Sequence, residues 1–285
     1  MTRLTARDFD PQVLQLFDKY VHGQIGRREF IAAAGAGLLA TLSPSFAAPL
    51  VAADDKRINT RYIEHPSPQG YGTLRGYLAL PAKPSGKLPA VLVVHENRGL
   101  NPHIEDITRR LALEGFLAFA PDALFPLGGY PGSEDKAREM FGKLNQAKTR
   151  ADFLAAAQML DGHEQGNGKI GVVGFCYGGG MANYLATKMP NLDAAVAFYG
   201  AQAPAADVPN IRAPLMIHDA ENDTRIRNGW PAYETALKEA GKKFEYYVYP
   251  GVEHGFNNDT TPRYDEAAAK LAWQRTVDFF RKQLT

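Results

Sequence analysis

The run Ile170-Gly171-Val172-Val173-Gly174-Phe175-Cys176-Tyr177-Gly178-Gly179-Gly180 decides how the rest of the chain is read. Four apolar or small residues make a buried strand, and the glycine-rich stretch after it opens a helix. The spacing G-x-C-x-G is the strand-to-helix turn that lifts one nucleophilic side chain above a sheet, with cysteine where serine is common. A Cβ at Gly174 or Gly178 would crowd the neighbouring strand or helix. Residue 176 also falls at a helix N-terminus, where the helix dipole favours a thiolate. A dinucleotide turn would instead need G-x-G-x-x-G and an acidic residue about 20 positions later, which is a different spacing.

Outward from this turn, short β runs alternate with amphipathic segments. Strands are expected at 74–80, 90–94, 116–120, 170–174, 194–199, 215–218 and 244–249. Helices are expected at 103–114, 148–160, 178–188, 230–240 and 264–284. Such alternation implies a mostly parallel sheet with helices on both faces. In such sheets ligands gather beyond the carboxyl ends of the strands. Two further groups fall there. Asp223 ends the loop after 215–218, and His254 follows 244–249. Nucleophile, acid and histidine in this order form a triad, the imidazole taking the thiol proton and the carboxylate fixing its tautomer. Asp219 and Glu221 compete for the acid role. His22, His65, His103, His163 and His218 are less favoured as the base, and His218 reads as structural.

Five elements together resemble the dienelactone hydrolase (carboxymethylenebutenolidase) family over about residues 57–284. They are His95-Glu96-Asn97-Arg98-Gly99-Leu100, Pro121-Asp122-Ala123-Leu124, the Cys176 turn, Asp223, and His254-Gly255-Phe256. The resemblance implies an α/β-hydrolase fold and cleavage of a small ester or lactone through an acyl-enzyme, with no cofactor and no metal. It implies that Glu96 holds the resting cysteine as a thiol, and that the backbone N–H groups of Asn97 and Tyr177 form the oxyanion hole. It also implies that Arg138, in a helix over 133–144, grips a substrate carboxylate; Arg98, next to the oxyanion loop, is a further candidate cation by position. One departure stands out. The family type carries an arginine four residues after the histidine, where this chain has Asn258, so neutral substrates are expected to be accepted comparatively well. A hydrolase-fold binding protein with vestigial activity is the alternative, and the complete triad with Glu96 argues against it. A peroxidatic cysteine would want a resolving cysteine, and the chain has one cysteine in all.

The 285 residues are 45% hydrophobic and 22% charged, with 32 basic and 31 acidic residues for a net charge of +1. Nothing in that balance argues for nucleic acid or an acidic membrane surface as partner. The organisation expected is an N-terminal segment, 1–55, and a hydrolase domain, 56–285. In the first, Arg27-Arg28 precede an apolar stretch at 31–42, too short to span a bilayer, and Ser45-Phe46-Ala47 supplies a small-x-small site. These are the parts of a secretory signal of the twin-arginine type, hence export to the periplasm. Phe9, Val13, Leu14, Leu16, Phe17, Tyr20 and Val21 recur at helical spacing, however. The competing expectation is a retained, cytoplasmic helical arm that packs on the body or mediates a homo-oligomer.

Overall fold

In the computed structural model the described residues are Ala6, 9–34 and 50–285. Two short helices come first, α1 (Pro11–Val21) and α2 (Arg27–Ala34). The strands are β1 (Ile58–Ser67), β2 (Gly72–Pro81), β3 (Leu88–Val94), β4 (Leu117–Pro121), β5 (Gly166–Phe175), β6 (Ala194–Phe198), β7 (Leu215–Ala220) and β8 (Phe244–Tyr249). They make one eight-stranded sheet in the order β1-β2-β4-β3-β5-β6-β7-β8. Pairing is antiparallel for β1–β2 and β2–β4 and parallel from β4 onward. This is the α/β-hydrolase fold expected. Only β1 was not anticipated. Most of its residues are exposed or half-buried, so its sequence lacks an apolar run.

Side chains alternate across the sheet, as the pleat requires. On β3, Val91 and Val93 face α3 (Pro102–Leu113) and α9 (Glu266–Leu284), packing with Ile107, Leu111, Val277 and Phe280. Ala90, Leu92 and Val94 face α5 (Gln146–Asp161) and α6 (Tyr177–Lys188), with Phe153, Leu160 and Leu185. Between β4 and α5 lies α4 (Glu134–Phe141). After β7 come the single turn α7 (Thr224–Arg227) and then α8 (Trp230–Glu239).

The N-terminal helices form a separate small core of Leu14, Phe17, Tyr20 and Phe30. Arg27 and Arg28 begin α2. Most of the apolar stretch after them, and Ser45-Phe46-Ala47, lie outside the described residues. The chain re-enters description at Leu50, where the Asp106 carboxylate accepts from the N–H groups of Leu50 and Val51. Among the described residues no helix is long and apolar enough to cross a membrane.

Candidate active site

The turn after β5 is as tight as its glycines suggested. A Cβ on Gly174 would lie 1.8 Å from the Gly178 carbonyl oxygen, and one on Gly178 would lie 2.1 Å from that of Val94. Cys176 itself sits at φ 55°, ψ −111°, a conformation few side-chain-bearing residues adopt. Its N–H is tied to the Phe198 carbonyl at 3.0 Å. The strained residue is therefore clamped between β6 and the first turn of α6.

Asp223 and His254 come from adjacent loops that are laced together. Glu221 N–H donates to Tyr249 O and Asn222 N–H to Val252 O. Gly251 N–H donates to the Glu221 carboxylate at 2.8 Å, and the Asn222 amide to Glu253 at 2.8 Å. Asp223 caps α7, one carboxylate oxygen accepting from Ile226 N–H at 3.2 Å. The other oxygen is bonded to His254 Nδ1. His254 Nε2 thereby turns toward Cys176, the two reactive atoms lying within 4.8 Å of each other. Burial alone would favour a neutral thiol and imidazole. The positive charge of His254 overrides it and holds the thiol below its usual range. The thiolate and Asp223 in turn push His254 up. These mutual charges favour a thiolate–imidazolium pair, whereas the resemblance implied a resting thiol held by Glu96. Of the competing acids, Asp219 is wholly buried, its carboxyl pushed up to about 7 by burial, and Glu221 is spent on the Gly251 N–H.

Glu96 lines the same pocket as Cys176 and His254. The Asn258 side-chain amide donates to it at 2.9 Å, so the asparagine holds the glutamate. Asn97, at the end of the β3 loop, and Tyr177, the first residue of α6, flank Cys176 in an adjoining cleft. Arg98 is buried beside Glu134, 3.5 Å away. Arg138 stacks on the Tyr20 ring, 4.4 Å from its centroid.

The N-terminal helices lie across this site. The carbonyl of Tyr20 accepts from Arg138. That of Val21 accepts from Arg98 at 3.1 Å and from the Asn97 amide at 3.3 Å. These are carbonyls from the C-terminal end of α1, which carries partial negative charge. They occupy the two arginines to which a substrate carboxylate was assigned. Asp18 pairs with Arg263 at 3.3 Å, and His22 Nε2 stands 3.7 Å from the Cys176 sulfur. Sequence reasoning set His22 aside because it lies in the arm, and the structure places it beside the nucleophile. The spacing Asp18–His22, one helical turn, was the available signal. Arg263 and Arg225 were also missed, since neither belongs to a motif. Arg263 is buried in the pocket, and Arg225 reaches His22 Nε2 at 3.2 Å. What remains under the arm is a cavity of about 50 Å³. On the far side of Cys176 a cleft of about 620 Å³ stays open, walled by Tyr177, Met181, Tyr184 and Tyr199 and edged by Arg150 and Lys188.

The model of the dienelactone hydrolase family matches residues 74–284. The chain belongs to the dienelactone hydrolase family. A Salmonella typhi relative named "Putative carboxymethylenebutenolidase" is 35% identical over 218 residues, 72% of this chain and 81% of that protein. "Protein usf" of Aquifex pyrophilus is 38% identical over 224 residues, 74% of this chain and 94% of that protein. Among solved structures, the "Putative Dienelactone Hydrolase" of Klebsiella pneumoniae superposes with a TM-score of 0.69 at 30% identity, covering 78% of this chain and 99% of that one. Residues 1–37 match a second model, described as YqhI-like. As a dienelactone hydrolase family member the chain is a carboxylic ester hydrolase. Its helical arm is a second, separately recognisable segment.

Proposed function

We propose that this family member cleaves a small ester or lactone with Cys176 as nucleophile, His254 as base and acid, and Asp223 as the group that orients His254. The observation that carries the reading is the chain of contacts from Asp223 through His254 to a strained, helix-capping Cys176. The thiolate adds to the carbonyl carbon, and the oxyanion falls between the N–H groups of Asn97 and Tyr177. Each such donor is worth roughly 10²–10³ in rate. As the tetrahedral adduct collapses, the His254 imidazolium gives its proton to the leaving oxygen, and a thioester to Cys176 remains. Water then loses a proton to His254 and attacks the thioester, releasing the acid and restoring the thiolate. Glu96, held by Asn258, sets the charge beside the Cys176 thiolate before substrate enters, and Arg98 and Arg138 take the substrate's carboxylate when the arm does not. The open tyrosine-walled cleft accepts the uncharged part of the substrate.

The test is hydrolysis of an activated aryl ester. The wild type should show a burst of phenol release and a thioester mass adduct on Cys176. Cys176→Ala should lose at least about 10³-fold in kcat, as removal of a triad nucleophile does, with its melting temperature unchanged. Full activity in Cys176→Ala would refute the mechanism. For location, the paired arginines support export by the twin-arginine route, while the docked arm supports retention. Cell fractionation of wild type against Arg27→Lys/Arg28→Lys separates them, since only an exported protein changes compartment.

A further inference from the structure

Two imidazoles face the thiol of Cys176, and both are oriented by aspartates. His254 Nδ1 is bonded to Asp223. His22 Nδ1 lies 2.8 Å from the Asp18 carbonyl oxygen and 3.2 Å from its carboxylate. An imidazole that donates its Nδ1–H presents a lone pair at Nε2. The two Nε2 atoms are 3.3 Å apart, and His22 Nε2 is 3.7 Å from the sulfur. All three ligand atoms lie within 4.8 Å of one another. With both imidazoles neutral, two lone pairs and a thiolate converge on one point, and the Arg225 guanidinium, 3.2 Å from His22 Nε2, is the cation now beside them. A proton satisfies one of the contacts, whereas a metal ion satisfies all three.

The dimensions suit zinc. Zn–N bonds of about 2.0–2.1 Å and a Zn–S bond of about 2.3 Å at tetrahedral angles place N and N about 3.4 Å apart, and N and S about 3.6 Å apart. The two edges that His22 makes lie within about 0.1 Å of these values, and the third, between Cys176 and His254, lies within 4.8 Å and must close for a tetrahedral ion. Aspartates behind both histidines are the outer shell that such ligands ordinarily have. One thiolate and two imidazoles select a borderline or soft ion over magnesium or calcium. The sequence reading expected no metal, and the histidine brought by α1 adds a ligand that reading did not place here.

We propose that His22, Cys176 and His254 form a binding site for a zinc-class divalent cation, with the N-terminal arm supplying the third ligand. Two ligands belong to the body and one to the arm, so the ion fastens the arm over the site. Binding consumes the nucleophile's lone pair and releases any proton held by Cys176, His22 or His254. The open cleft, which His22 and Cys176 also line, admits water as the fourth ligand. Arg225 opposes the ion. Its guanidinium lies 3.2 Å from His22 Nε2, but the side chain is exposed and can swing into solvent. Arg98 and Arg263 add positive charge on the pocket side, where Asp18, Glu96 and Glu134 offset it. Silencing of hydrolysis by the ion rests on the function proposed above, whereas the binding itself does not.

The experiment is titration of the full-length, chelator-treated protein with Co²⁺, followed by displacement with Zn²⁺. About one Co²⁺ per chain should bind, with a thiolate-to-cobalt charge-transfer band in the near ultraviolet and the strong visible bands of a four-coordinate ion. His22→Ala should weaken binding by at least about tenfold, at the lower end of what loss of even an outer-shell partner costs. Arg225→Ala should tighten it. Zn²⁺ should inhibit wild-type esterase activity at concentrations that leave His22→Ala active. A wild type without the thiolate band, or a His22→Ala variant with wild-type affinity and spectrum, would overturn the proposal. The spectrum is read without turnover and the esterase assay can be run in chelator, so failure of the metal site and failure of the hydrolase mechanism give separate results.

Discussion

The arm and the body are held in different ways. The body buries apolar side chains on both faces of an eight-stranded sheet, from Leu92 and Phe153 on one side to Val93 and Phe280 on the other. The arm has a four-residue core of its own and meets the body largely through polar contacts. These are Asp18 to Arg263, the Tyr20 hydroxyl to Asp135, and the α1 carbonyls to Arg98 and Arg138. The arm's apolar core is distinct from the two apolar clusters that flank the sheet. The body's fold therefore does not depend on the arm, and the arm is the element that opens at low cost. Elements that gate sites are drawn from that end of the stability range.

The sharpest way to break this contrast is to remove one aromatic from each core. Phe119 and Phe30 are both fully buried. Phe119→Ala should cost the body about 3–5 kcal/mol and lower its melting temperature in calorimetry. Phe30→Ala should leave that transition within about 0.5 kcal/mol of wild type, while amide exchange in residues 10–34 becomes fast. Equal losses in the main transition would mean that arm and body unfold as one unit.

A smaller effect is confined to the body. His95 Nδ1 lies 2.6 Å from the Glu96 carbonyl, and its Nε2 accepts from Ala123 N–H at 3.2 Å. Thr276 gives its hydroxyl proton to the Ala272 carbonyl and so accepts from His218 Nε2, which leaves His218 Nδ1 to accept from the Tyr249 hydroxyl at 2.9 Å. Neither ring can take a second proton without setting donor against donor. Burial pushes His95 down to about 4 and His218 to about 3, against about 6.5 when unfolded. Below that value the unfolded chain binds protons that the folded chain refuses. Stability is therefore complete above about pH 6.5 and declines as pH falls toward 4, by up to about 1.4 kcal/mol per pH unit for each histidine. Urea melts at pH 7, 6 and 5 measure this. In His218→Asn the decline should shrink by about half, and an unchanged slope would remove His218 from the account.

The smallest effect concerns substrate charge. An arginine at 258 would stand next to Glu96, whose carboxylate now accepts from Asn258, and would pair with it. Asn258→Arg should therefore improve kcat/KM for a carboxylated lactone over a neutral one by no more than about tenfold, about 1.4 kcal/mol. A gain of about a hundredfold would mean that the new guanidinium reaches the substrate and that Glu96 is held by something else.

The parts legible in the sequence are those whose determinants are local. The apolar runs at β3, β5, β6 and β7 announce buried parallel strands. Gly174 and Gly178 announce the turn, and the order of Asp223 and His254 after it announces their partnership. β1 was illegible because an exposed edge strand needs no apolar run. His22, Arg225 and Arg263 were illegible because their positions depend on where α1 lands, a contact between segments more than 150 residues apart in the case of His22 and Cys176. Asn258 drew notice in the sequence only by its place after His254, and its tie to Glu96 depends on two loops meeting over 162 positions.

Cys176 is the only cysteine in the chain, and the arm lies over it. Any thiol reagent therefore has one target, and α1 governs access to that target from the pocket side. Alkylation by a small reagent through the open cleft counts competent molecules. A reagent too bulky for the cleft can react only in the moments when α1 has lifted away. The ratio of the two rates is a clock for the arm, carried by the protein's own nucleophile, and it runs without substrate and without a label.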